Sequence, residues 1–314
     1  MPPAEPTPAA LANPVLRYFL ATRPPFLIVT VFAALIGIAA ARYGGAPVSA
    51  LAAALTVLLA LIAHAGINVL NDYYDELNGT DRLNTERVFP FTGGSRFIQN
   101  GVLTPRETGL YGAALLGITV AGGLGLVLWR GPGLLAVGAA GILIGWAYSA
   151  PPLKLNSRGW GEACVAAGFA LIAIGADFVQ RRAFSPDTVL IVAPYALLVM
   201  NILYINQFPD CRADREAGKH HWVVRLGPQR ARWGYLAAAA VAYGTLAATV
   251  AAGRLPPPAL IALLPAALSV PAGLALLRHA AEPARLEPAI KMTIAAAAAH
   301  GLLLAGALFL AAAR

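Results

Sequence analysis

The stretch that decides the fold is Asn71-Asp72-Tyr73-Tyr74-Asp75-Glu76-Leu77-Asn78-Gly79-Thr80-Asp81, which directly follows a long run of apolar residues. Asn71 and Asp75 are four residues apart and Asp72 is three before Asp75, so the three side chains share one face of a helix. His64 and Asn68 continue that face back into the apolar run. Polar side chains are costly inside a bilayer and face a cavity there. The stretch therefore predicts a membrane helix whose acidic end borders a cavity, with an ordinary solvated helix end as the alternative.

Composition places the chain among membrane proteins. It has 314 residues, 58% of them hydrophobic and 12% charged, and a mean hydropathy of +0.66. A soluble protein carries about twice that fraction of charged residues. A membrane-spanning helix needs about 20 apolar residues, and nine runs of roughly that length predict an all-α bundle of nine transmembrane helices around a central cavity. These runs are residues 25–41, 48–70, 108–129, 133–149, 161–180, 187–205, 233–252, 258–277 and 289–312.

Basic residues indicate the orientation, because Lys and Arg are concentrated in cytoplasmic loops. Of the 23 Lys and Arg residues, 17 lie at the N-terminus or in the loops after the second, fourth, sixth and eighth predicted helices, and 6 lie on the other side. We therefore expect a multi-pass protein of the cell (inner) membrane, surrounded by lipid. Its N-terminus, acidic stretch and cavity mouth face the cytoplasm, and Arg314 lies outside. This topology accounts for the net charge of +8, which therefore implies no nucleic-acid partner.

The N-terminal segment differs in composition from the rest. Residues 1–22 are rich in Ala and Pro and lack a basic segment ahead of an apolar core, so no cleaved signal peptide is indicated. We expect a cytoplasmic tail with an interfacial helix near residues 14–21, followed by a single nine-helix domain over residues 23–314. The two cysteines suit neither a disulfide framework nor a metal site. Cys164 is expected to be a small buried residue and Cys211 a free thiol in a loop.

A second acidic stretch repeats the first. Asn206 and Asp210 have the same spacing as Asn71 and Asp75, again at the end of an apolar run, and Asp214 follows four residues later. The repeat suggests that the first four helices and the next four form related halves, which would place the two acidic ends on opposite sides of one cavity. Basic residues alternate with the second set of acids, so an exposed loop with salt bridges is the alternative.

Basic and aromatic residues near these stretches are further candidates. A Pro-Pro pair forces an extended break that holds Tyr148 and Lys154 at the rim, and a Gly-Gly-Ser turn beside Arg96 can aim backbone N–H groups at an anion. Lys219 follows the second acidic stretch, where mixed charges suit both a metal and a phosphate. Arg23 has a simpler interpretation as a membrane-interface anchor, Lys154 as one of the basic residues expected in cytoplasmic loops, and the Gly-Gly pair as a plain turn.

The chemistry of the two stretches favours a lipid diphosphate as substrate. Two carboxylate clusters that share hard divalent cations imply Mg²⁺, which keeps several waters and is usually completed by substrate phosphates. Such ions stabilise a leaving diphosphate electrostatically. A site at the mouth of a membrane cavity with apolar walls suits a diphosphate head group with a long hydrocarbon tail.

The two acidic stretches resemble the aspartate-rich motifs of the UbiA superfamily of intramembrane prenyltransferases, whose fold has nine transmembrane helices. The resemblance covers essentially the whole chain and includes the loop from Tyr148 to Lys154. Three motifs look most like the 1,4-dihydroxy-2-naphthoate polyprenyltransferases of menaquinone biosynthesis. They are Asn-Asp-Tyr-Tyr-Asp, Thr-Gly-Gly-Ser-Arg and Asn-x-Phe-Pro-Asp-x-x-x-Asp-x-x-x-Gly-Lys.

The resemblance implies a function and a role for each matching residue. The function is transfer of a polyprenyl group from a polyprenyl diphosphate to an aromatic acceptor, with Mg²⁺ as cofactor and loss of the ring carboxylate in the naphthoate case. The implied catalytic set is Asp75, Asp210, Asn71, Asn206 and Tyr148, with Tyr148 near the allylic carbon. The implied metal ligands are Asp72, Asp75, Asp81, Asp210 and Asp214, and the implied diphosphate ligands are Arg23, Arg96, Lys154 and Lys219.

Two features depart from the family pattern. Asp81 follows Asp75 by six residues where many members have four, and His220-His221-Trp222 replaces a Thr-containing continuation after Lys219.

Three other functions are alternatives to naphthoate prenylation. One is prenylation of another aromatic acceptor, such as 4-hydroxybenzoate or homogentisate, and a second is a non-enzymatic ion-coupled transporter, whose acids should lie near helix centres. A phosphatidyltransferase of the CDP-alcohol type would need an Asp-x-x-Asp-Gly-x-x-Ala-Arg pattern, which the sequence lacks.

Overall fold

A computed structural model describes residues 4–312, and within that range the chain contains helices and no β-strand. Three short 3₁₀ helices lie at residues 155–158, 257–263 and 283–285. The α-helices are Pro14–Ala21 (α1), Pro24–Tyr43 (α2), Ala50–Asn78 (α3), Thr80–Leu83 (α4), Pro105–Arg130 (α5), Leu134–Ser149 (α6), Gly161–Arg181 (α7), Pro186–Glu216 (α8), Trp222–Leu226 (α9), Pro228–Ala251 (α10), Ala266–His279 (α11) and Glu287–Ala311 (α12).

Among the described residues, eight segments are long and apolar enough to cross a membrane. They are α2, α3, α5, α7, α8, α10, α12 and the stretch Pro257–His279, in which a 3₁₀ helix leads into α11. A ninth segment, α6, is apolar but has 16 residues, a length of about 24 Å against a hydrocarbon core of about 30 Å. Each of the nine predicted runs overlaps one of these nine segments. The predicted all-α, multi-pass membrane fold is confirmed, with α6 as its shortest segment.

Two of the spanning helices continue well past their predicted ends. α3 runs to Asn78 where the apolar run ends at residue 70, and α8 runs to Glu216 where it ends at residue 205. An apolar pattern ends where the lipid ends, but a helix continues as long as its polar side chains find partners. The prediction that Cys211 lies in a loop was wrong, because this residue is buried within α8 with its Sγ 3.9 Å from the Val223 carbonyl oxygen.

Close helix contacts and buried hydrogen bonds hold the bundle together. Gly37 of α2 lies against the backbone of α7, where any Cβ would overlap the Ala173 carbonyl group. Between α8 and α2, the Tyr195 hydroxyl donates to the Val29 carbonyl oxygen at 2.6 Å. Lipid is as apolar as the helix surfaces, so association in a bilayer depends on such packing and hydrogen bonds. These contacts join α2 closely to both α7 and α8.

An ion pair closes the bundle at the end opposite the acidic stretches. The sequence places Asp177 near the outer end of its helix, at the membrane interface and beside Arg181. The pair is confirmed, with Arg181 Nη2 3.0 Å from Asp177 Oδ1. Asp177 lies in the last turn and a half of α7 and is only 1% exposed, so it is buried between helices, and its position at the membrane interface stays a prediction. Arg181 also donates to the Ala40 carbonyl oxygen at 3.1 Å, and this tie between α7 and α2 covers the carboxylate.

The N-terminal segment packs on the loop between α4 and α5. Glu5 accepts a hydrogen bond from Asn100 Nδ2 at 3.1 Å and from Arg87 Nε at 2.7 Å, and Leu11 packs with Phe97 in a small apolar cluster. The predicted helix near residues 14–21 is present as α1, which begins after an Asn13 cap. Its location at the membrane interface stays a prediction, and the predicted outward position of Arg314 concerns a residue outside the described range.

Candidate active site

A large cavity connects the two acidic helix ends to the interior of the bundle. Its volume is about 840 Å³. The inner part is bordered by apolar side chains of α3, α5, α6 and α7, such as Leu59, Leu124, Ile142 and Ile172. The charged side chains that line it within residues 4–312 are Arg23, Asp75, Asp81, Asp210, Asp214 and Lys219. The cavity thus combines a strongly charged mouth with a hydrocarbon-like interior.

The first helix end presents its carboxylates in two directions. Asp75 lines the cavity and accepts a hydrogen bond from Asn71 Nδ2 at 3.2 Å, and Asn71 also donates to Ser149 Oγ at 2.9 Å. Asp72 lies off the cavity wall, where it pairs with Arg23 and accepts a hydrogen bond from the Ser95 N–H at 3.3 Å. Asp75 is therefore available to a bound group, whereas Asp72 holds Arg23 at the mouth.

The second helix end faces the first across the cavity mouth. Lys219 Nζ lies 3.1 Å from Asp75 Oδ1 on one side and 3.1 Å from Asp214 Oδ1 on the other. Asn84, which follows α4, donates to Asp210 Oδ1 at 2.5 Å. The two acidic stretches, more than 120 residues apart in sequence, thus form one site, as the repeated spacing predicted. Burial by itself lowers the pKa of Lys219, but the carboxylates of Asp214 and Asp75 outweigh it and raise the pKa, so the ammonium stays charged.

Asp81 is a buried carboxylate that forms no ion pair with the Lys and Arg side chains of residues 4–312. It is 3% exposed, lines the cavity, and its Oδ2 has no hydrogen-bond partner among the described residues. Burial raises the pKa of Asp81 well above its usual value, and the nearby carboxylates of Asp75 and Asp72 raise it further. Such an oxygen is stabilised by a cation. Asp81 therefore has the environment of a metal ligand, although it lies six residues from Asp75.

Gly94 is what allows Asp81 to occupy this position. Its φ is +75°, and a Cβ there would overlap Asp81 Oδ2. Gly101 has a similar φ of +70° but open space where a Cβ would be.

We expect Gly94→Ala to lower the free energy of unfolding by about 1 to 3 kcal/mol more than Gly101→Ala. Both variants place a side chain at a left-handed φ, but only the Cβ at position 94 also overlaps a neighbouring side chain. Denaturant titrations of both purified variants measure the difference, and equal losses would contradict the contact.

The remaining candidates divide between the cavity wall and its surroundings. Tyr148 and Asn206 line the cavity, and Asn206 Nδ2 donates to the Phe91 carbonyl oxygen at 3.3 Å. Arg96 is buried behind the mouth, where it donates to the Asp81 carbonyl oxygen. Lys154 Nζ donates to Asn78 Oδ1 at 2.5 Å at the end of α3. Arg96 and Lys154 are thus near the site but off the cavity wall, and their diphosphate contacts stay predictions.

The aspartates at the mouth are possible metal ligands, but their carboxylates do not converge on one point. Within residues 4–312, no three His, Cys, Asp or Glu side chains converge closely enough to hold a metal ion by themselves. Carboxylate oxygens are the protein ligands that Mg²⁺ prefers, and it commonly takes only one or two of them, with waters and substrate phosphates completing the octahedron. The donors present therefore fit an Mg²⁺ ion that binds together with a phosphorylated ligand.

Two residues of the site were not predicted from the sequence. Asn84 joins the two halves through Asp210, and nothing in its sequence context distinguishes it from other loop asparagines. His221 is 2% exposed and lines the cavity, with Nε2 2.9 Å from Asp214 Oδ2. In the sequence, His221 could have been noticed because it lies in the segment after Lys219 that differs from the family pattern.

The helix bundle and its paired acidic ends define a class of membrane protein, and comparison with known proteins identifies that class. Residues 30–295 match the UbiA prenyltransferase family. The match covers most of the chain, so the chain belongs to this family, as the motifs predicted.

Particular relatives are similar at moderate identity. The chain is 31% identical over 187 residues to the 1,4-dihydroxy-2-naphthoate octaprenyltransferase of Mycobacterium leprae. This match covers 59% of this chain and 60% of the relative. It is 30% identical over 219 residues to the protein of that name from Escherichia coli, covering 67% of this chain and 68% of the relative. The match spans about 60% of the length of the mycobacterial relatives.

Solved structures share the fold over nearly the whole chain. A UbiA homologue from Archaeoglobus fulgidus superposes with a TM-score of 0.65 at 19% identity, covering 95% of this chain and 100% of the other. The same homologue bound to GPP and Mg²⁺ gives a TM-score of 0.61 at 18% identity, covering 92% of this chain and 99% of the other. These likenesses confirm the predicted UbiA-type bundle.

Proposed function

We propose that this protein transfers a polyprenyl group from a polyprenyl diphosphate to an aromatic acceptor, with 1,4-dihydroxy-2-naphthoate as the favoured acceptor. One observation carries the proposal. Two acidic helix ends, joined by Lys219 through contacts of 3.1 Å to Asp75 and to Asp214, face each other at the mouth of a cavity of about 840 Å³ with apolar inner walls. A diphosphate at the mouth and a hydrocarbon chain inside would each meet matching chemistry.

Both acidic and basic side chains would bind the diphosphate head group, the acidic ones through Mg²⁺. Asp75, Asp81, Asp210 and Asp214 would bind Mg²⁺, because their oxygens border the cavity. Bound Mg²⁺ would neutralise the diphosphate and stabilise it as a leaving group. Lys219 would move from bridging two carboxylates to binding phosphate oxygens once metal ions neutralise those carboxylates. Arg23 lines the same mouth and would supply a second cation.

The apolar interior supports transfer to a ring in preference to hydrolysis. The allylic C–O bond breaks with its electron pair leaving on the diphosphate, and the electron-rich ring donates the pair that forms the new C–C bond. In the naphthoate case the ring carboxylate leaves as CO₂. Side chains such as Leu59 and Ile142 around the hydrocarbon chain keep water away from the allylic cation. Tyr148 lines the wall between the charged mouth and this interior, a position suited to the allylic carbon.

Two observations support the acceptor and the orientation. Several relatives are named 1,4-dihydroxy-2-naphthoate octaprenyltransferase, and the motifs from Asn71 to Asp81 and from Asn206 to Lys219 have the same resemblance. The distribution of basic residues supports a cytoplasmic position for the cavity mouth in the cell (inner) membrane. Both the soluble acceptor and the diphosphate head would then reach the site from the cytoplasm.

A panel of acceptors tests this function. Purified protein receives Mg²⁺, one long-chain prenyl diphosphate, and in turn 1,4-dihydroxy-2-naphthoate, 4-hydroxybenzoate or homogentisate. We expect a prenylated product that has lost the mass of CO₂ with the naphthoate, and no product when EDTA is added. Product from another acceptor alone would contradict the naphthoate assignment. Absence of diphosphate release with every acceptor would contradict the transferase.

A further inference from the structure

A histidine lies deep in the cavity, away from the charged mouth. His64 precedes Asn71 by seven residues on α3, a distance of about 10 Å along the helix axis. Its half-buried ring lines the cavity and stands edge-on to Phe169 of α7, with centroids 5.5 Å apart. The proposed diphosphate chemistry gives this residue no role. A polar ring within a membrane helix is costly, and such residues commonly mark functional sites.

One hydrogen bond determines which nitrogen of His64 carries the proton. Thr30 is fully buried, and its Oγ1 lies 2.7 Å from His64 Nδ1. This is the only hydrogen bond of the Thr30 hydroxyl among residues 4–312. If Nδ1 were protonated, the hydroxyl hydrogen would have no acceptor in the protein, a cost that buried donors avoid. The Thr30 hydroxyl therefore donates to Nδ1, and Nε2 carries the proton.

The Nε2–H group of His64 is left for a ligand. It has no hydrogen-bond partner among the described residues, and the ring borders the cavity. A prenyl chain has no oxygen and would leave this donor unsatisfied in an apolar environment. An aromatic ring with hydroxyl or carboxylate oxygens satisfies it, and the edge of Phe169 provides an aromatic neighbour for that ring.

We propose that His64 is a positioning residue for the aromatic acceptor, donating a hydrogen bond from Nε2 to one of the oxygens on the acceptor ring. The inference rests on the proposed transferase and adds the place where the second substrate binds. Thr30 fixes the imidazole as a donor toward the cavity, and the helix α3 that carries His64 also carries Asn71 and Asp75 at the mouth.

Equilibrium binding tests the inference without requiring turnover. Isothermal titration calorimetry of the full chain in detergent, under anaerobic conditions, gives the Kd of 1,4-dihydroxy-2-naphthoate. We expect His64→Leu to weaken Kd by about tenfold to a hundredfold, the value of a hydrogen bond to a charged or strongly polar oxygen. His64→Gln, which keeps an N–H donor at similar reach, should recover most of the affinity.

The control is a second polar residue of the same helix and cavity. Thr56 lines the cavity and its hydroxyl donates to the Ala52 carbonyl oxygen at 2.7 Å within α3. Thr56→Val should leave Kd within about twofold of wild type. All variants are compared for size-exclusion profile, and for their KM for the prenyl diphosphate, which His64→Leu should not change.

The outcomes separate this inference from the proposed function. A Kd that His64→Leu does not alter, or wild-type protein that binds no aromatic probe, overturns the inference. Product formation with that unaltered Kd would leave the transferase standing and remove only the role of His64. Binding that depends on His64 in a protein that forms no product would support the ring site and contradict the transferase.

Discussion

Replacing Asp75 by asparagine is expected to reduce prenyl transfer by about a hundredfold to a thousandfold, the size of effect seen when a preorganised electrostatic group is removed from a reacting centre. Asp75 lines the cavity and pairs with Lys219 at 3.1 Å, so the variant removes charge from the head-group site with little change of shape. Asp210→Asn, across the mouth, should show a loss of the same order. Initial rates at saturating Mg²⁺ measure both effects.

A neighbouring acid provides the control for this prediction. Glu76 is next to Asp75 and is equally buried at 8% exposure. Its carboxylate points away from the cavity, pairing with Arg82 and accepting from Gln99 Nε2 at 3.0 Å. Glu76→Gln should therefore keep activity within about threefold while changing stability slightly. Wild-type turnover by Asp75→Asn would refute its role, and a loss as large in Glu76→Gln would show that the helix end had unfolded.

Replacing Lys219 by methionine should have the largest effect on stability. The ammonium lies 3.1 Å from both Asp75 and Asp214, and Lys219 is 8% exposed. Removing one partner of a buried ion pair costs about 3 to 5 kcal/mol, and here two carboxylates lose their counter-charge. We expect a lower Tm and a KM for prenyl diphosphate raised by at least about tenfold, since the phosphate loses a charged hydrogen bond. Thermal melts and steady-state kinetics measure the two effects.

Added Mg²⁺ makes the Lys219 prediction specific. If the carboxylates are metal ligands, Mg²⁺ should raise the Tm of Lys219→Met more than that of the wild type, because the ion replaces the missing charge. Lys291 serves as the matched control: it pairs with Glu287 at 2.7 Å, but its side chain is 58% exposed. Lys291→Met should melt within a degree or two of wild type. A Lys219→Met protein with unchanged Tm and KM would contradict the bridging role.

The sequence was most informative where regular periodicity applies. The spacing of Asn71 and Asp75 fixes a face of α3 whatever surrounds it, and its repetition at Asn206 and Asp210 predicted that the two ends meet. Apolar runs located the eight segments of residues 4–312 that are long enough to cross a membrane and the shorter α6, since the bilayer sets the length of such runs. The face of a helix and the length of an apolar run depend on local geometry alone.

Loop side chains were less predictable, because tertiary partners decide their direction. Arg96 is a residue type that commonly binds phosphate, but its guanidinium donates to the Asp81 carbonyl oxygen and lies behind the mouth. Asp81 gains its place from Gly94, thirteen residues later, which leaves room for its carboxylate. Asn84 and Glu5 owe their contacts to segments that no spacing rule connects to them.

The α3 helix has a geometric consequence for the pair of substrates. His64 and Asp75 are separated by eleven residues on one uninterrupted helix, which sets their axial spacing at about 16 Å. In the proposed function, α3 would therefore set the distance between the acceptor ring at His64 and the diphosphate head group at Asp75. Insertion of a single residue between them would rotate one side chain by about 100° relative to the other, whereas insertion of seven residues would leave both on nearly the same face.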